Sequence, residues 1–164
     1  MMKTLLILRH AKSSWDNAQL TDYERPLNSR GKQDAPLMGK LLREQDLVPD
    51  LIITSSAERA LATAEAVALA GGYEQEIRAT RSFYHADPDA YIDVLRQLDD
   101  SLERVMVVGH NPGMEELLEE LTGLWEQMPT AALAQIALPI NHWHEFEDGT
   151  TGELVNLWRP KELG

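Results

Sequence analysis

Two arginines and two histidines in this chain sit where short apolar runs stop. Arg9 and His10 follow Leu5 to Leu8, His110 follows Val105 to Gly109, and Arg59 comes just after Thr54-Ser55-Ser56, which closes the run from Leu51. An arginine fork matches phosphate oxygens bidentately. Imidazole is a competent nucleophile toward phosphorus when one nitrogen is unprotonated, and an unperturbed pKa of about 6.5 leaves it largely neutral at pH 7. Helices opening after Ser56 and after Asn111 would add backbone N–H donors for an anion. Taken singly, each pattern has an ordinary reading: a surface pair, a capped helix beside a solvated arginine, a turn whose His110 bonds a carbonyl. Their common placement at strand-to-helix junctions is what joins them.

That placement depends on alternating strand-like and helix-like stretches, the pattern of an α/β domain. Leu5 to Leu8, Leu51 to Thr54 and Val105 to Val108 read as strands buried on both faces. Helical spacing of Leu37, Met38, Leu41 and Leu42, with Pro36 early in the segment, predicts a first helix. A second spans about Ala57 to Ala70 and closes on Gly71-Gly72; a third opens at Asp87-Pro88 and runs to about Leu98. Gly109-His110-Asn111-Pro112-Gly113 turns into a fourth. Three strands are expected to follow, at Leu133 to Leu138, Trp143 to Phe146 and Glu153 to Trp158. In open α/β sheets ligands collect outside the carboxyl ends of the strands, so the junction residues converge on one edge.

Composition narrows the class. The 164 residues carry a formal net charge of −12 and no cysteine. Such an acidic balance repels polyanions, which argues against nucleic acid and anionic membranes as partners and makes any cluster of arginines conspicuous. Without cysteine there is no disulfide frame, thiolate metal site or cysteine nucleophile, as suits a reducing cytoplasm. Leu5 to Leu8 is too short for a signal-peptide core, and no later run has membrane-spanning length.

The segments LILRHAKSSW, DYERPLNSRG, SSAERALATAE and VVGHNPGMEEL together resemble the histidine phosphatase superfamily, most closely its small branch of SixA-type phosphohistidine phosphatases. The resemblance runs to the closing LVNLWRPKEL. It implies a single histidine phosphatase domain over residues 1–164, folded as a three-layer α/β/α sandwich with a mostly parallel central sheet. It also puts His10 in the nucleophile's position and Arg9, Arg59 and His110 in the phosphate pocket, with Asn111 beside them as a substrate-binding position. The usual Arg-His-Gly reads Arg9-His10-Ala11, a familiar variation in the small branch. Where larger members carry an asparagine on the phosphate, this chain has Asp16, a carboxylate that would repel it, so that contact is not transferred.

The implied chemistry needs neither metal nor other cofactor. One nitrogen of His10 attacks phosphorus in line while the other is held, by a backbone carbonyl, in the correct tautomer; Arg9, Arg59 and His110 neutralise the equatorial oxygens, and water then hydrolyses the phosphohistidine. In many family members a glutamate after the third strand protonates the leaving group, and the equivalent segment here is Ser82-Phe83-Tyr84-His85. His85 is the candidate acid, with Glu115 or Glu116 as alternatives. Asp22, Arg25 and Arg30 are expected to pin a loop over the pocket. His142 and His144, with Glu145 or Glu147, offer two histidines without a clear third ligand, which reads more simply as an exposed edge. The function expected is a monomeric phosphatase acting on a phosphohistidine-bearing protein. A phosphatase for a small phosphorylated substrate and a phosphate-binding module without turnover are the alternatives. A phosphoglycerate mutase is disfavoured, because so short a chain leaves little room for the segments that enclose a bisphosphate.

Overall fold

Leu5 to Leu8 are fully buried because both faces of their strand are covered, and that strand, β1 (Lys3–Arg9), sorts its side chains with period two. Leu5 and Ile7 enter one hydrophobic core; Leu6 and Leu8 enter another on the opposite face of the sheet. This computed structural model describes residues 2–147 and 149–163.

The helices are α1 (Ser29–Glu44), α2 (Glu58–Gly71), α3 (Pro88–Leu95), α4 (Gly113–Thr122) and the short α5 (Pro160–Leu163). The other strands are β2 (Leu51–Ser55), β3 (Ile77–Thr80), β4 (Arg104–Gly109), β5 (Leu133–Leu138) and β6 (Glu153–Trp158), in the spatial order β3-β2-β4-β1-β5-β6. Pairs β3–β2, β2–β4 and β4–β1 are parallel; β5 runs antiparallel to β1, and β6 antiparallel to β5. Met38, Leu42, Ala60 and Val67 of α1 and α2 pack with Leu6 and Leu8, whereas Tyr91, Leu95, Leu117 and Leu121 of α3 and α4 pack with Leu5 and Ile7. The architecture is therefore the expected three-layer sandwich on a mostly parallel sheet. Among the described residues, no helix is long and apolar enough to cross a membrane.

Three local expectations change. The strand β3 was given no range by the sequence, because an edge strand reading Ile77-Arg78-Ala79-Thr80 is half-exposed and has no apolar run. Helix α3 ends at Leu95, and the chain beyond it tightens into i→i−3 bonds, Gln97 to Val94 and Leu98 to Leu95. Trp143 to Phe146 is not a strand but a 3₁₀ turn at Trp143–Glu145. Its ladder donors are taken locally: Glu145 accepts the N–H groups of Asn141 and His142, and Asp100 accepts that of Trp143. Trp143 and Phe146 are both buried, and their spacing of three is that of a turn with one apolar face, not the alternation of a strand.

The first turn of α1 steadies the segment that leaves β1. Asn28 caps the helix by accepting from the Gly31 N–H at 2.9 Å, and its own N–H donates to the Lys12 carbonyl at 3.0 Å. A Cβ on Gly31 would stand 2.2 Å from that same carbonyl oxygen. Glycine is needed here for close approach of two backbones. In an ordinary helix interior Gly→Ala gains up to about 1 kcal/mol. Gly31→Ala is expected instead to destabilise by about 1–3 kcal/mol, since neither backbone can yield without moving the loop next to His10. Urea unfolding measures this, and a variant as stable as the parent would mean that the contact is soft.

Candidate functional site

Strand register brings the two histidines together. Arg9 lies opposite Gly109 in the parallel β1–β4 pair, so His10 and His110 leave the sheet side by side, with the His10 N–H donating to the Gly109 carbonyl at 3.0 Å and ring centroids 5.0 Å apart. Strand β2, on the far side of β4, delivers Arg59 in the first turn of α2, where its Nε–H approaches His10 Nε2 at 3.4 Å. One turn further, Thr63 donates to the Arg59 carbonyl at 2.7 Å and accepts the Ala11 N–H at 2.9 Å, fixing helix α2 and the segment that follows β1 to one another. The sequence carried no signal for Thr63 beyond its helical spacing from Arg59. Arg9, His10, Arg59 and His110 line one pocket of ≈ 340 Å³.

The proton positions follow from the partners. His10 Nδ1 lies 2.7 Å from the Ala11 carbonyl, which can only accept, so Nδ1 carries the proton and Nε2 keeps its lone pair in the pocket. Burial lowers the His10 pKa to about 3, opposed by the Ala11 bond and reinforced by His110, Arg59 and Arg9. Burial likewise lowers His110 to about 4, with Arg59 next in weight. Both rings are neutral throughout the physiological range. His110 Nε2 pairs with the Ser55 hydroxyl at 2.8 Å, whereas its buried Nδ1 has no partner among the described residues.

Asp22 organises the cations. Its carboxylate accepts from Arg25 at 2.8 Å, from Arg59 Nη2 at 3.0 Å and from the Tyr84 hydroxyl at 2.6 Å, while its carbonyl accepts from Arg59 Nη1 at 2.7 Å. Burial would raise the Asp22 pKa, but the bonds from Tyr84, Arg25 and Arg59 outweigh it and hold the carboxyl well below the usual range. With Nη1 and Nη2 turned to Asp22, Arg59 presents its Nε edge to His10. Arg25 is buried, donates to the Ser14 carbonyl at 3.0 Å and stacks over the exposed Trp15 ring with Cζ 3.2 Å from its centroid.

The remaining candidates divide. His85 borders the pocket but is largely exposed; it adopts a φ of 55°, stacks on Tyr84 and stands 4.0 Å from the Asp22 carboxylate. Asn111 also lines the pocket, yet its side-chain amide donates to the Met128 carbonyl at 2.8 Å, the same oxygen that takes Arg9 Nη1 at 3.1 Å. Glu115 is committed to the Met128 N–H at 2.8 Å and so secures this loop. Arg30 does not pin the loop around Asp22; it pairs with Asp34 on its own helix at 3.1 Å. His142 is bound to Asp100 at 2.8 Å with His144 stacked at 5.4 Å, and among the described residues no group of three or more His, Asp or Glu could hold a metal ion.

Residues 5–83 match the sequence profile of the histidine phosphatase superfamily (branch 1). An uncharacterised protein of Mycobacterium leprae is 32% identical over 167 residues, covering 94% of this chain and 100% of its own length. A structure from Agrobacterium tumefaciens, assigned as phosphohistidine phosphatase SixA, superposes with a TM-score of 0.83 at 28% identity over 98% of this chain and 99% of its own. A protein histidine phosphatase SixA complexed with tungstate shares the fold, with a TM-score of 0.84 at 22% identity over 98% and 99% of the two chains.

Two outcomes follow from this geometry. Because the folded pKa values of His10 and His110 lie below the unfolded value of about 6.5, the unfolded chain binds more protons between those limits. The stability these rings contribute is therefore complete above about pH 6.5 and is lost as pH falls toward their folded values. Urea midpoints should decline from pH 7 to pH 5, less steeply in His10→Gln; identical slopes would contradict burial as the cause. For Asp22, replacement by Ala removes an ion-assisted bond worth about 1.5 kcal/mol or more, so kcat should fall at least about tenfold. Phosphate, freed of a nearby carboxylate, should inhibit no more weakly than in the parent, and Asp22→Asn should recover part of kcat. A loss confined to KM would refute an orienting role.

Proposed function

The chain belongs to the histidine phosphatase superfamily and is of the SixA type; from that premise we propose that it removes the phosphoryl group from phosphohistidine in a protein. The observation that carries the reading is the His10 tautomer: Nδ1 tied to the Ala11 carbonyl at 2.7 Å and Nε2 unprotonated beside Arg59. In this scheme the substrate ring carries a proton on its other nitrogen; Nε2 attacks phosphorus in line, the P–N bond of the substrate breaks, and the electron pair goes to the departing ring, which leaves as neutral imidazole. Arg9 and Arg59 neutralise the equatorial oxygens, and His110, neutral in the empty pocket, gains basicity as the dianion arrives. Water then attacks phospho-His10, releasing phosphate and restoring the ring. The positive charge in every step is supplied by the chain's own side chains.

The choice between phosphohistidine and a phosphate ester rests on the leaving group. Glu115 is held at Met128, His85 stands at the exposed rim, and among the described residues that line the pocket there is no Asp or Glu. An alkoxide leaves poorly unless it is protonated, whereas the ring of a phosphohistidine protonated on its other nitrogen departs as neutral imidazole without a further proton. His85 is our candidate for whatever proton donation occurs.

His10→Ala should abolish turnover without unfolding the chain, and the trapped intermediate should carry alkali-stable, acid-labile phosphate on His10. Activity within a few-fold of the parent would remove His10 from the nucleophile's role. General acid catalysis is typically worth about 10²–10⁴-fold, so phosphohistidine should exceed alkyl phosphates by that order, with aryl phosphates between. His85→Ala should cost more on alkyl phosphates than on phosphohistidine. Equal turnover of alkyl phosphates and phosphohistidine by the parent would give the lead to a small phosphorylated substrate.

A further inference from the structure

Cations and carboxylates are not spread evenly over this acidic chain. The catalytic pocket is lined by Arg9, Lys12, Arg25 and Arg59. A second, open cavity of ≈ 560 Å³ adjoins it, sharing Arg9, Lys12 and Thr130 and adding Arg30, Arg159 and Lys161. Among the described residues, seven of the chain's fifteen Lys and Arg thus line these two cavities, against Asp34 and Glu162 of its 27 Asp and Glu. The rest of the surface is correspondingly more acidic than the net charge suggests.

Not all of the charge in the groove is available. Arg159 is committed, donating to the Gln127 carbonyl at 3.1 Å and pairing with Glu126 at 3.2 Å and Glu162 at 3.7 Å. Arg30 engages Asp34 through Nε alone, at 3.1 and 3.3 Å, with its side chain 53% exposed, which leaves its terminal nitrogens open. Lys12 and Lys161 are exposed and form no ion pair among the described residues. Three cations therefore flank a trench that opens into the phosphoryl site.

We propose that this groove binds an acidic segment of the protein substrate, its carboxylates lying on Lys12, Arg30 and Lys161 while the phosphorylated side chain enters the adjoining pocket. The proposal rests on the reading of the site as a protein phosphohistidine phosphatase. Two flexible ammonium groups and one open guanidinium spread along an open trench suit carboxylates distributed along a peptide better than one compact dianion, for which an enclosed bidentate clamp is the usual solution. An acidic partner is repelled by the acidic balance of the remaining surface and attracted at this cluster, so the charge distribution orients the encounter as well as holding the complex.

The test uses the full chain with two phosphohistidine peptides that differ only in flanking residues, Glu/Asp-rich or Ser/Gln-rich. The parent should prefer the acidic peptide in kcat/KM, and the preference should shrink toward one at about 0.5 M NaCl, where exposed charges are screened. Exposed pairs contribute modestly, so Lys161→Glu should cut the preference about three- to tenfold, and Lys12→Ala/Lys161→Ala should cut it similarly. A labelled Glu/Asp-rich peptide without phosphate should bind the parent in fluorescence anisotropy and bind Lys161→Glu more weakly. Equal kcat/KM for the two peptides, or a preference unchanged in Lys161→Glu, overturns the groove. Failure to turn over either phosphopeptide while aryl phosphates are hydrolysed defeats the phosphohistidine reading instead, and anisotropy then still decides the groove: no binding, or binding insensitive to Lys161→Glu, overturns it.

Discussion

The parallel pairing of β1 with β4 is the constraint on which the site depends. A one-residue slip would turn the Leu5/Ile7 and Leu6/Leu8 sets to the wrong faces of the sheet, and both faces are buried against helices. The hydrophobic effect therefore fixes register, and register fixes chemistry: with Arg9 opposite Gly109, the next residue of each strand is a histidine at the carboxyl edge. Close packing around Gly109 enforces the same arrangement, since a Cβ there would stand 2.1 Å from the buried Tyr91 hydroxyl. The geometry of the candidate site is inherited from core packing more than from contacts among the site's own side chains.

Electrostatics then determines protonation. Two arginines and two imidazoles in a half-closed pocket cannot all be charged without a large desolvation cost, and the imidazoles are the groups able to give up a proton. The depressed pKa values of His10 and His110 are the result. For the nucleophile's role proposed for His10 this is the useful state, because the lone pair on Nε2 is present at neutral pH. Asp22 pairs with Arg25 and Arg59 from one side of the pocket and leaves the Nε edge of Arg59 facing His10.

Much of this was legible in the chain before any coordinates. Leu5–Leu8, Leu51–Thr54 and Val105–Val108 announce buried strands because both faces must be apolar, and the residues that follow them were therefore placed at one edge. What the sequence hid has physical reasons. Strand β3 is half-exposed and lacks an apolar signature, and the segment around Trp143 and Phe146, apolar residues spaced by three, is a turn whose backbone donors go to Asp100 and Glu145. Ser55 as the partner of His110, Thr63 as the clamp on Ala11 and the Met128 carbonyl beneath Arg9 and Asn111 are contacts between segments distant in the chain, which no local pattern encodes. The loop role given to Arg30 failed for a local reason, because Asp34 lies one helical turn away on the same face and captures it.

The antiparallel strand explains why the pocket has a wall and a groove on one side. A parallel neighbour of β1, like β4, enters the sheet at the opposite edge and reaches the site only through its carboxyl end and the turn that follows it. Because β5 runs backwards, the segment leading into it crosses the carboxyl end of β1: the Ala131 N–H, in a left-handed backbone with φ 63°, donates to the carbonyls of Arg9 and His10 at 3.1 and 3.0 Å, and Met128 receives Arg9 and Asn111. Strand β6 then returns parallel to β1 and ends at the same edge, delivering Arg159 and α5 beside that wall. Arg159 binds the Gln127 carbonyl and thereby joins the end of β6 to the loop that supports Arg9. The two strands that depart from the doubly wound pattern are thus the ones that extend the candidate pocket into the cationic groove, so the direction of β5 governs both how Arg9 is held and which side chains line the cavity next to it.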